Sequence, residues 1–345
     1  MKRFLKAPAF SCVVVALFAA LLLKGGGGAE AAPMQSYGSN NIDAGAQPFK
    51  ALNAVVEVSA RDIWAVGDSF SLSTGVEQTL IEHWDGTSWS IVPSPNPTTT
   101  HDTFLSGVAE VSANDVWAVG GSGQTLIEHW NGEHWRIVAS PNPPGSTGSL
   151  GAVAEVSAHD IWAVGTFKNS TGGLPLIEHW DGEQWSIVAS PNPTGSSFTV
   201  LNGVAEVSAH NVWAVGRTNQ SLTEHWNGKQ WSIVPSPNPT GSSFTVLNGV
   251  TEVSAHNVWA VGGYFTSVGS MVFQKTLIEH WNGKQWSIVP SPNVSGSTSD
   301  ILNGVEEVSA RNIWAVGVFF TRSAGGLPLI EHWNGVQWSI VPGAD

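Results

Sequence analysis

Short apolar segments separated by polar turns recur along the chain, and residues 202–239 show the pattern well. Four segments there have the length of strands, and we predict them as Gly203–Ala209, Val212–Val215, Leu222–Trp226 and Trp231–Val234. An Asn-Gly pair between the third and fourth segments is a hairpin signal, because glycine accepts a positive φ. Three prolines then close the unit, since proline cannot donate to a strand ladder.

The pattern occurs six times between about Ala51 and Asp345. Successive Trp-Ala-Val-Gly segments are 45 to 55 residues apart, and their tryptophans are Trp64, Trp117, Trp162, Trp213, Trp259 and Trp314. Such a period, filled with short strands, is typical of propellers. The sequence therefore predicts an all-β, six-bladed β-propeller with four antiparallel strands per blade. The predicted blades span about residues 51–97, 104–143, 150–193, 201–239, 247–293 and 302–345.

Connection lengths indicate which strand of each blade is innermost. The outermost strand of one blade must connect to the innermost strand of the next, across roughly three strand spacings, or about 14 Å. Only the fourth-to-first links are always long, at 11 or 12 residues. We therefore predict Gly203–Ala209 as innermost and Trp231–Val234 as outermost. Because strands alternate in direction, these links and the variable second-to-third loops share one face, which is the better candidate for binding.

The N-terminus has the order of an export signal. Basic residues precede an apolar segment from Ala9 to Leu23, and small residues follow it. We predict a cleaved signal at residues 1–31 and a polar linker at residues 32–50, so the protein is expected to be secreted or on the cell surface. An uncleaved membrane anchor is the alternative, although the apolar segment is shorter than a typical span of about 20 residues. Cys12, the only cysteine, lies in the signal, which leaves no thiol in the mature chain.

Charge limits the classes of partner. Removing residues 1–31 leaves 10 basic and 26 acidic residues and a net charge of −16. Such a surface repels nucleic acid and anionic membranes. We expect an extracellular glycan or protein partner, no nucleic acid, no membrane contact beyond the signal, and a monomer.

The repeated pattern LxxVxxxSxxDVWAVG…LIEHWDGxxWSIVPSP resembles the tryptophan-rich propeller repeats of exported bacterial proteins, a group related to kelch, galactose-oxidase-like and sialidase-like propellers. The resemblance covers about residues 51–345 and implies the architecture, whereas propellers host many activities. The copper-radical chemistry of galactose-oxidase-like enzymes needs a cysteine-crosslinked tyrosine, which a mature chain without cysteine cannot form. Sialidase-like enzymes use a tyrosine nucleophile and an arginine triad, and this chain has only Tyr37 and Tyr264 and scattered arginines.

Three polar or aromatic sets recur in every repeat. The Glu-His pair before the third-strand tryptophan, such as Glu224-His225, is expected to make structural hydrogen bonds, because adjacent strand residues point to opposite faces and cannot chelate one ion together. The tryptophans are expected to be mainly structural, with sugar stacking as the alternative. One glutamate on each innermost strand either accepts local hydrogen bonds or joins a ring that could hold Ca²⁺, the only cofactor considered. These are Glu57, Glu110, Glu155, Glu206, Glu252 and Glu307.

The long second-to-third loops differ most between copies, and their aromatic and basic residues form the predicted ligand-binding set. These are Phe70, Phe167, Lys168, Tyr264, Phe265, Phe273, Phe319, Phe320 and Arg322. We predict a non-catalytic binding or interaction module for a glycan or peptide, and no catalytic residue. The alternatives are a polysaccharide-directed hydrolase or lyase, for which the loops offer only Asp68 and Glu77, and a structural protein of the cell envelope.

Overall fold

The computed structural model describes residues 50–98, 100–170, 172–193, 196, 198–269, 271–322 and 325–342. The predicted signal, Cys12 and nearly all of the predicted linker lie outside the described residues. Within the described ranges the secondary structure consists of 24 strands. No helix there is long and apolar enough to cross a membrane.

Each repeat contributes four consecutive strands. Repeats 1 to 3 contain β1 (Lys50–Ser59), β2 (Asp62–Ser71), β3 (Val76–Trp84), β4 (Trp89–Ile91), β5 (Phe104–Ser112), β6 (Asp115–Gly121), β7 (Thr125–Trp130), β8 (Trp135–Val138), β9 (Thr147–Ser157), β10 (Asp160–Asn169), β11 (Gly172–Trp180) and β12 (Trp185–Ile187). Repeats 4 to 6 contain β13 (Val200–Ser208), β14 (Asn211–Arg217), β15 (Ser221–Trp226), β16 (Trp231–Ile233), β17 (Phe244–Ser254), β18 (Asn257–Val268), β19 (Met271–Trp281), β20 (Trp286–Val289), β21 (Ser299–Ser309), β22 (Asn312–Phe320), β23 (Leu327–Trp333) and β24 (Trp338–Ile340).

The four strands of each repeat pair antiparallel in chain order. Repeats 1 to 4 form separate four-stranded sheets, whereas a single parallel pair, Gln274 with Ser299, joins repeats 5 and 6 into one eight-stranded sheet. The first strands of consecutive repeats lie beside one another from β1 to β21. The all-β class and the four-stranded antiparallel unit are thereby confirmed.

A bulge in the first strand explains the glycine of each Trp-Ala-Val-Gly segment. In repeat 4 the pairing of β13 with β14 shifts between Leu201 and Gly203, so that Asn202 is the extra residue. Beside this bulge the two backbones approach so closely that a Cβ on Gly216 would lie 2.0 Å from the carbonyl oxygen of Val200. Only glycine fits there, and the same approach recurs in all six repeats, at Gly67, Gly120, Gly165, Gly216, Gly262 and Gly317.

Replacing Gly216 with alanine is therefore expected to destabilise the protein by about 1–3 kcal/mol, or more if the strands cannot separate. Gly325 is the control, because a Cβ there meets no atom within 4 Å. Thermal and denaturant unfolding followed by far-ultraviolet circular dichroism measures both variants. Equal stabilities for Gly216→Ala and Gly325→Ala would contradict this account.

The hydrophobic core lies between neighbouring repeats. Trp213 in β14 has its ring 4.9 Å from Trp281 and 5.2 Å from Trp286, both in repeat 5. Val215 and Leu247 complete this layer and are fully buried. Trp213 is therefore a structural residue of the junction between repeats, which agrees with the structural role expected for the tryptophans.

Most of the predicted second-to-third loops are strand extensions. In repeat 5, β18 and β19 pair without interruption from Val258 with Trp281 to Val268 with Met271. The variation of these segments between copies favoured loops, but their backbone groups continue the antiparallel ladder away from the core. Lys50 likewise begins β1, although the sequence placed it in the linker.

The inter-repeat links and the β2–β3-type hairpins share one face of the molecule. The backbone NH of Thr103 donates to Glu77, that of Thr199 to Gly173 and that of Thr245 to Asn219, and each bond joins a link to the preceding hairpin. We call this surface the hairpin face. It is the face that carries the sequence differences between repeats.

Candidate functional site

The Glu-His pairs belong to the scaffold. In every repeat His Nε2 lies 2.7–2.8 Å from a side-chain oxygen of the Asp or Asn that begins the second strand. The imidazole also packs on the tryptophan of that strand, as His225 does on Trp213 at 4.5 Å. The glutamate of the pair points away from this site, as strand alternation requires. The two side chains of a pair therefore point to opposite sides of the strand and do not converge on one ion.

The glutamates of these pairs cross the junctions between repeats. The Ser94 hydroxyl of repeat 1 donates to Glu128 of repeat 2 at 2.8 Å, and Ser190 of repeat 3 donates to Glu224 of repeat 4 at 2.9 Å. Burial raises the pKa of Glu128 and of Glu224 to about 8, although the serine hydrogen bond opposes the shift. These side chains are fully buried, and burial favours the neutral acid over the carboxylate.

Only some of the first-strand glutamates lie close enough to one another to change each other's pKa. Burial, together with the neighbouring carboxylates, raises the pKa of Glu206 to about 9 and that of Glu252 to about 8. The charges that raise the pKa of Glu206 are those of Glu252, Glu155 and Glu306, and the charges that raise the pKa of Glu252 are those of Glu306, the predicted Glu307 and Glu155. Among the described residues no group of three or more His, Cys, Asp or Glu side chains is arranged to hold a metal ion. The cation hypothesis for this set stays a prediction.

The predicted aromatic residues of the hairpin face divide into two groups. Phe167, Tyr264 and Phe319 pack against the buried clusters between repeats. Lys168 is exposed, and Arg322 is exposed with its guanidinium 3.3 Å from the Met271 sulfur of the neighbouring hairpin. The remaining four, Phe70, Phe265, Phe273 and Phe320, are half-buried. No single cluster unites the predicted set.

A recess lies on the hairpin face over repeat 4, whose hairpin is short. Its volume is about 380 Å³, and it is lined by Pro193, Ser196, Thr218, Asn219, Gln220, Ser242 and Ser243. These residues come from the link before repeat 4, from its hairpin and from the link after it. The hairpins of repeats 3 and 5 are several residues longer than that of repeat 4, and they lie on either side of the recess. The lining is almost entirely hydroxyl and amide groups.

Arg217 immediately precedes Thr218 of the recess lining, and its guanidinium is held between two aromatic rings. Its guanidinium carbon is 5.0 Å from the ring centre of Phe198 and 5.0 Å from that of Phe244. Phe244 in turn contacts Phe265 at 5.8 Å, and Phe198 packs closely on Gly173 of the repeat 3 hairpin. Rings on both sides restrict the guanidinium to few orientations, and cation–π attraction stabilises it. Burial lowers the pKa of Arg217, yet an arginine stays charged.

Sequence reasoning missed this cluster except for Phe265. Phe198 and Phe244 occupy equivalent positions in two identical segments, Pro191–Val204 and Pro237–Val250, which flank repeat 4. Arg217 follows a Trp-Ala-Val-Gly segment where the other repeats have Asp, Gly, Thr, Gly and Val. The signal was therefore present in the duplicated link and in the one basic residue between its two copies.

A second group of polar residues lies on the hairpin face of repeat 1. Asp68 is buried and accepts a hydrogen bond from Asn53 at 3.1 Å, and the backbone NH of Glu77 donates to Asp102 at 3.0 Å. Burial raises the pKa of Asp68 and of Glu77, and the nearby carboxylate of Asp102 adds to both shifts. The two carboxylates named for the enzyme alternative therefore lie in one region.

Comparison with solved structures decides the fold. YCF48 bound to a D1 peptide is 14% identical over 84% of this chain and 80% of its own, with a TM-score of 0.51. YjhT is 11% identical over 86% of this chain and 98% of its own, with a TM-score of 0.52. A polysaccharide lyase, an ulvan lyase, is 9% identical over 88% of this chain and 82% of its own, with a TM-score of 0.55. The fold is that of a β-propeller.

These identities show the propeller fold alone. Neither a protein-family model nor a curated protein sequence matches the chain. The propeller neighbours include a peptide-bound protein and a polysaccharide lyase, so one architecture serves both binding and catalysis. The site of this propeller must therefore be argued from its own residues.

Proposed function

We propose that this protein is an exported, non-catalytic binding module, a six-bladed propeller whose hairpin face binds an extracellular glycan. The observation that carries the proposal is the recess over repeat 4 with Arg217 fixed between Phe198 and Phe244. Export rests on the signal-like order of residues 1–31. The blade count rests on the six repeats.

The recess favours a glycan over a peptide because of its lining. Hydroxyl and amide groups can donate to and accept from sugar hydroxyls, whereas the recess offers no deep apolar pocket for a peptide side chain. Arg217 supplies a preorganised cation in an otherwise acidic chain, which suits a carboxylate-bearing sugar. A peptide with an acidic side chain is the second candidate, and the peptide-bound neighbour of the same fold makes it worth testing.

The test is binding of the mature chain to an array that contains neutral glycans, uronate-containing glycans and acidic peptides. We expect saturable binding to uronate-containing glycans. Arg217→Ala should weaken it by about 10- to 100-fold, because hydrogen bonds to charged groups contribute about 1.5–3 kcal/mol. Gln220→Ala should weaken it by several-fold, as expected for a neutral hydrogen bond of about 1 kcal/mol.

Repeat 2 provides the matched control. Its hairpin is equally short, with Gln124 in the position of Gln220, but Gly121 replaces Arg217. Gln124→Ala should leave binding unchanged, and Phe265→Ala should weaken it because Phe265 supports Phe244. Preferential binding to acidic peptides would favour the second candidate. If the protein bound neither uronate-containing glycans nor acidic peptides saturably, the proposed binding module would be contradicted and a structural role in the cell envelope would be favoured.

The enzyme alternative has its own location and its own readout. A hydrolase or lyase would use the carboxylates of Asp68, Glu77 and Asp102 on the hairpin face of repeat 1. The pKa of Asp68 and the pKa of Glu77 are raised, so these two groups keep their protons to a higher pH than usual. Release of product from labelled polysaccharide by the wild type, lost in Glu77→Gln and retained in Arg217→Ala, would establish that function and overturn the non-catalytic proposal.

A further inference from the structure

The two ends of the repeat array expose surfaces that every internal junction buries. At the junctions, the valine of the Trp-Ala-Val-Gly segment is fully buried in repeats 1 to 5, but Val316 of repeat 6 is 44% exposed. The tryptophan that begins the fourth strand is 4% exposed in repeat 2, at Trp135, but 45% exposed in repeat 1, at Trp89. Trp89 and Val316 are of the same residue type as their buried equivalents, so their exposure reflects the lack of a neighbouring repeat on that side among the described residues.

These residues define two unlike surfaces. The front face, on repeat 1, consists of Val55, Trp84 and Trp89, whose equivalents in repeats 2 to 6 pack on the preceding repeat. The back face, on repeat 6, consists of Val308, Trp314, Val316 and Ile330, and most of their equivalents in repeats 1 to 5 pack on the following repeat. Trp64, for example, contacts Trp130 at 4.9 Å and Trp135 at 5.4 Å, whereas the one aromatic contact of Trp314 among the described residues is with His332 of its own repeat.

A polar group on the back face independently indicates a missing partner. In repeats 1, 4 and 5 an asparagine beside the first-strand bulge donates its Nδ2 to the first strand of the next repeat, as Asn248 does to the Leu302 carbonyl at 2.9 Å. Asn303 occupies this position in repeat 6, and its Nδ2 is buried with no hydrogen-bond partner among the described residues. A buried donor without an acceptor costs about 1–3 kcal/mol, which a neighbouring strand would recover.

We propose that the back face of one molecule binds the front face of a second copy, through the contacts that join consecutive repeats within the chain. The internal junctions show that these surfaces fit each other: the aromatic layer continues at all five, and the asparagine bond is made at three of them. A second copy is favoured over the chain's own opposite end, because among the described residues repeats 1 and 6 do not pack on each other as consecutive repeats do. The proposal departs from the monomer expected from the sequence and is independent of the glycan site.

The contact differs from the internal junctions in one bond. The serine that donates to the buried glutamate of the next repeat is replaced by Gly343 in the sequence of repeat 6, and Glu82 of repeat 1 is only half-buried. The contact between two molecules would therefore be weaker than the junctions between repeats within one chain, and it would form reversibly. Because the two faces are unlike, the contact is heterologous, and it yields either a closed ring of copies or an open filament.

A mixing experiment with face-specific variants tests this arrangement. Trp89→Glu places a charge on the front face, and Val316→Glu places one on the back face. We expect the wild-type chain to self-associate with rising concentration in sedimentation velocity, and each variant alone to stay monomeric. An equimolar mixture of the two variants should form a dimer with one of each, because one intact back face then meets one intact front face.

The control adds the same charge away from both faces. Val336→Glu lies in the turn between β23 and β24, where Val336 is 80% exposed, and it should self-associate as the wild type does. Circular dichroism spectra that match the wild type establish that the variants are folded. A monomeric wild type at every concentration, or a mixture of variants that stays monomeric, would overturn the proposal, and the first result would point to closure within one chain or to a different partner.

Discussion

Replacing Trp213 with alanine is expected to lower the free energy of unfolding by about 3–5 kcal/mol, the range for a buried aromatic residue. Its ring is 1% exposed and lies between His225 of its own repeat and the Trp281–Trp286 pair of the next. The truncation removes these contacts and leaves a cavity at the junction of repeats 4 and 5. Chemical unfolding followed by circular dichroism measures the loss.

Trp314 is the matched control because it has the same sequence context but lacks a following repeat. Trp314→Ala at dilute protein is expected to cost less, on the order of 1–2 kcal/mol, since part of the ring is already solvated. If the two variants lose equal stability, the junction is not the source of the effect. If Trp314→Ala is more destabilising at high than at low protein concentration, pairing of the end faces is responsible.

The fold was largely predictable because its signals are local and repeated. Val212–Val215 and Leu222–Trp226 were predicted within one or two residues of β14 and β15. Predicted turns such as Asn227-Gly228 also formed, with Gly228 at a φ of 86°. The extended hairpins were missed because their stability comes from pairing with a second strand, and a polar segment such as Asp68–Ser71 shows no strand pattern by itself.

The candidate site and the end faces were less predictable, for two different reasons. Phe198, Arg217 and Phe244 come from three segments, and only the fold shows that both rings lie at equal distance from one guanidinium. Trp89 and Val316 have the same sequence context as their buried equivalents, so their exposure depends on position in the array and not on residue type. The repeated sequence therefore predicts the structure that the repeats share, but it does not predict the different exposure of equivalent residues in the first and last repeats.

The junction glutamates make stability depend on pH. Burial raises the pKa of Glu128 and Glu224 to about 8 and that of Glu178, Glu279 and Glu331 to about 7, from an ordinary value of 4.5. Since the folded state holds these protons more tightly than the unfolded state, the stabilisation is complete below the ordinary value and is lost as pH rises through about 7 to 8. Each pKa unit corresponds to about 1.4 kcal/mol.

Histidines act in the opposite direction at lower pH. Burial lowers the pKa of His129, His225 and His280, so their contribution is present above the usual histidine pKa and is lost as pH falls. Above about pH 7.5 these three histidines are neutral in both states, and only the glutamates still titrate. We therefore expect the melting temperature to fall between about pH 7.5 and pH 9.

Glu224→Gln isolates one of these groups. Glutamine keeps an oxygen that can accept the Ser190 hydrogen bond but cannot ionise, so the variant should be more stable than the wild type at pH 9 and similar to it at pH 5. Glu183→Gln, on an exposed turn, removes the same charge and reports the effect of net charge alone. Melting curves of the three proteins across this range decide the matter. A wild-type melting temperature that rises from pH 7.5 to pH 9, or a Glu224→Gln variant with the wild-type slope, would show that the junction carboxyls are ionised in the folded protein.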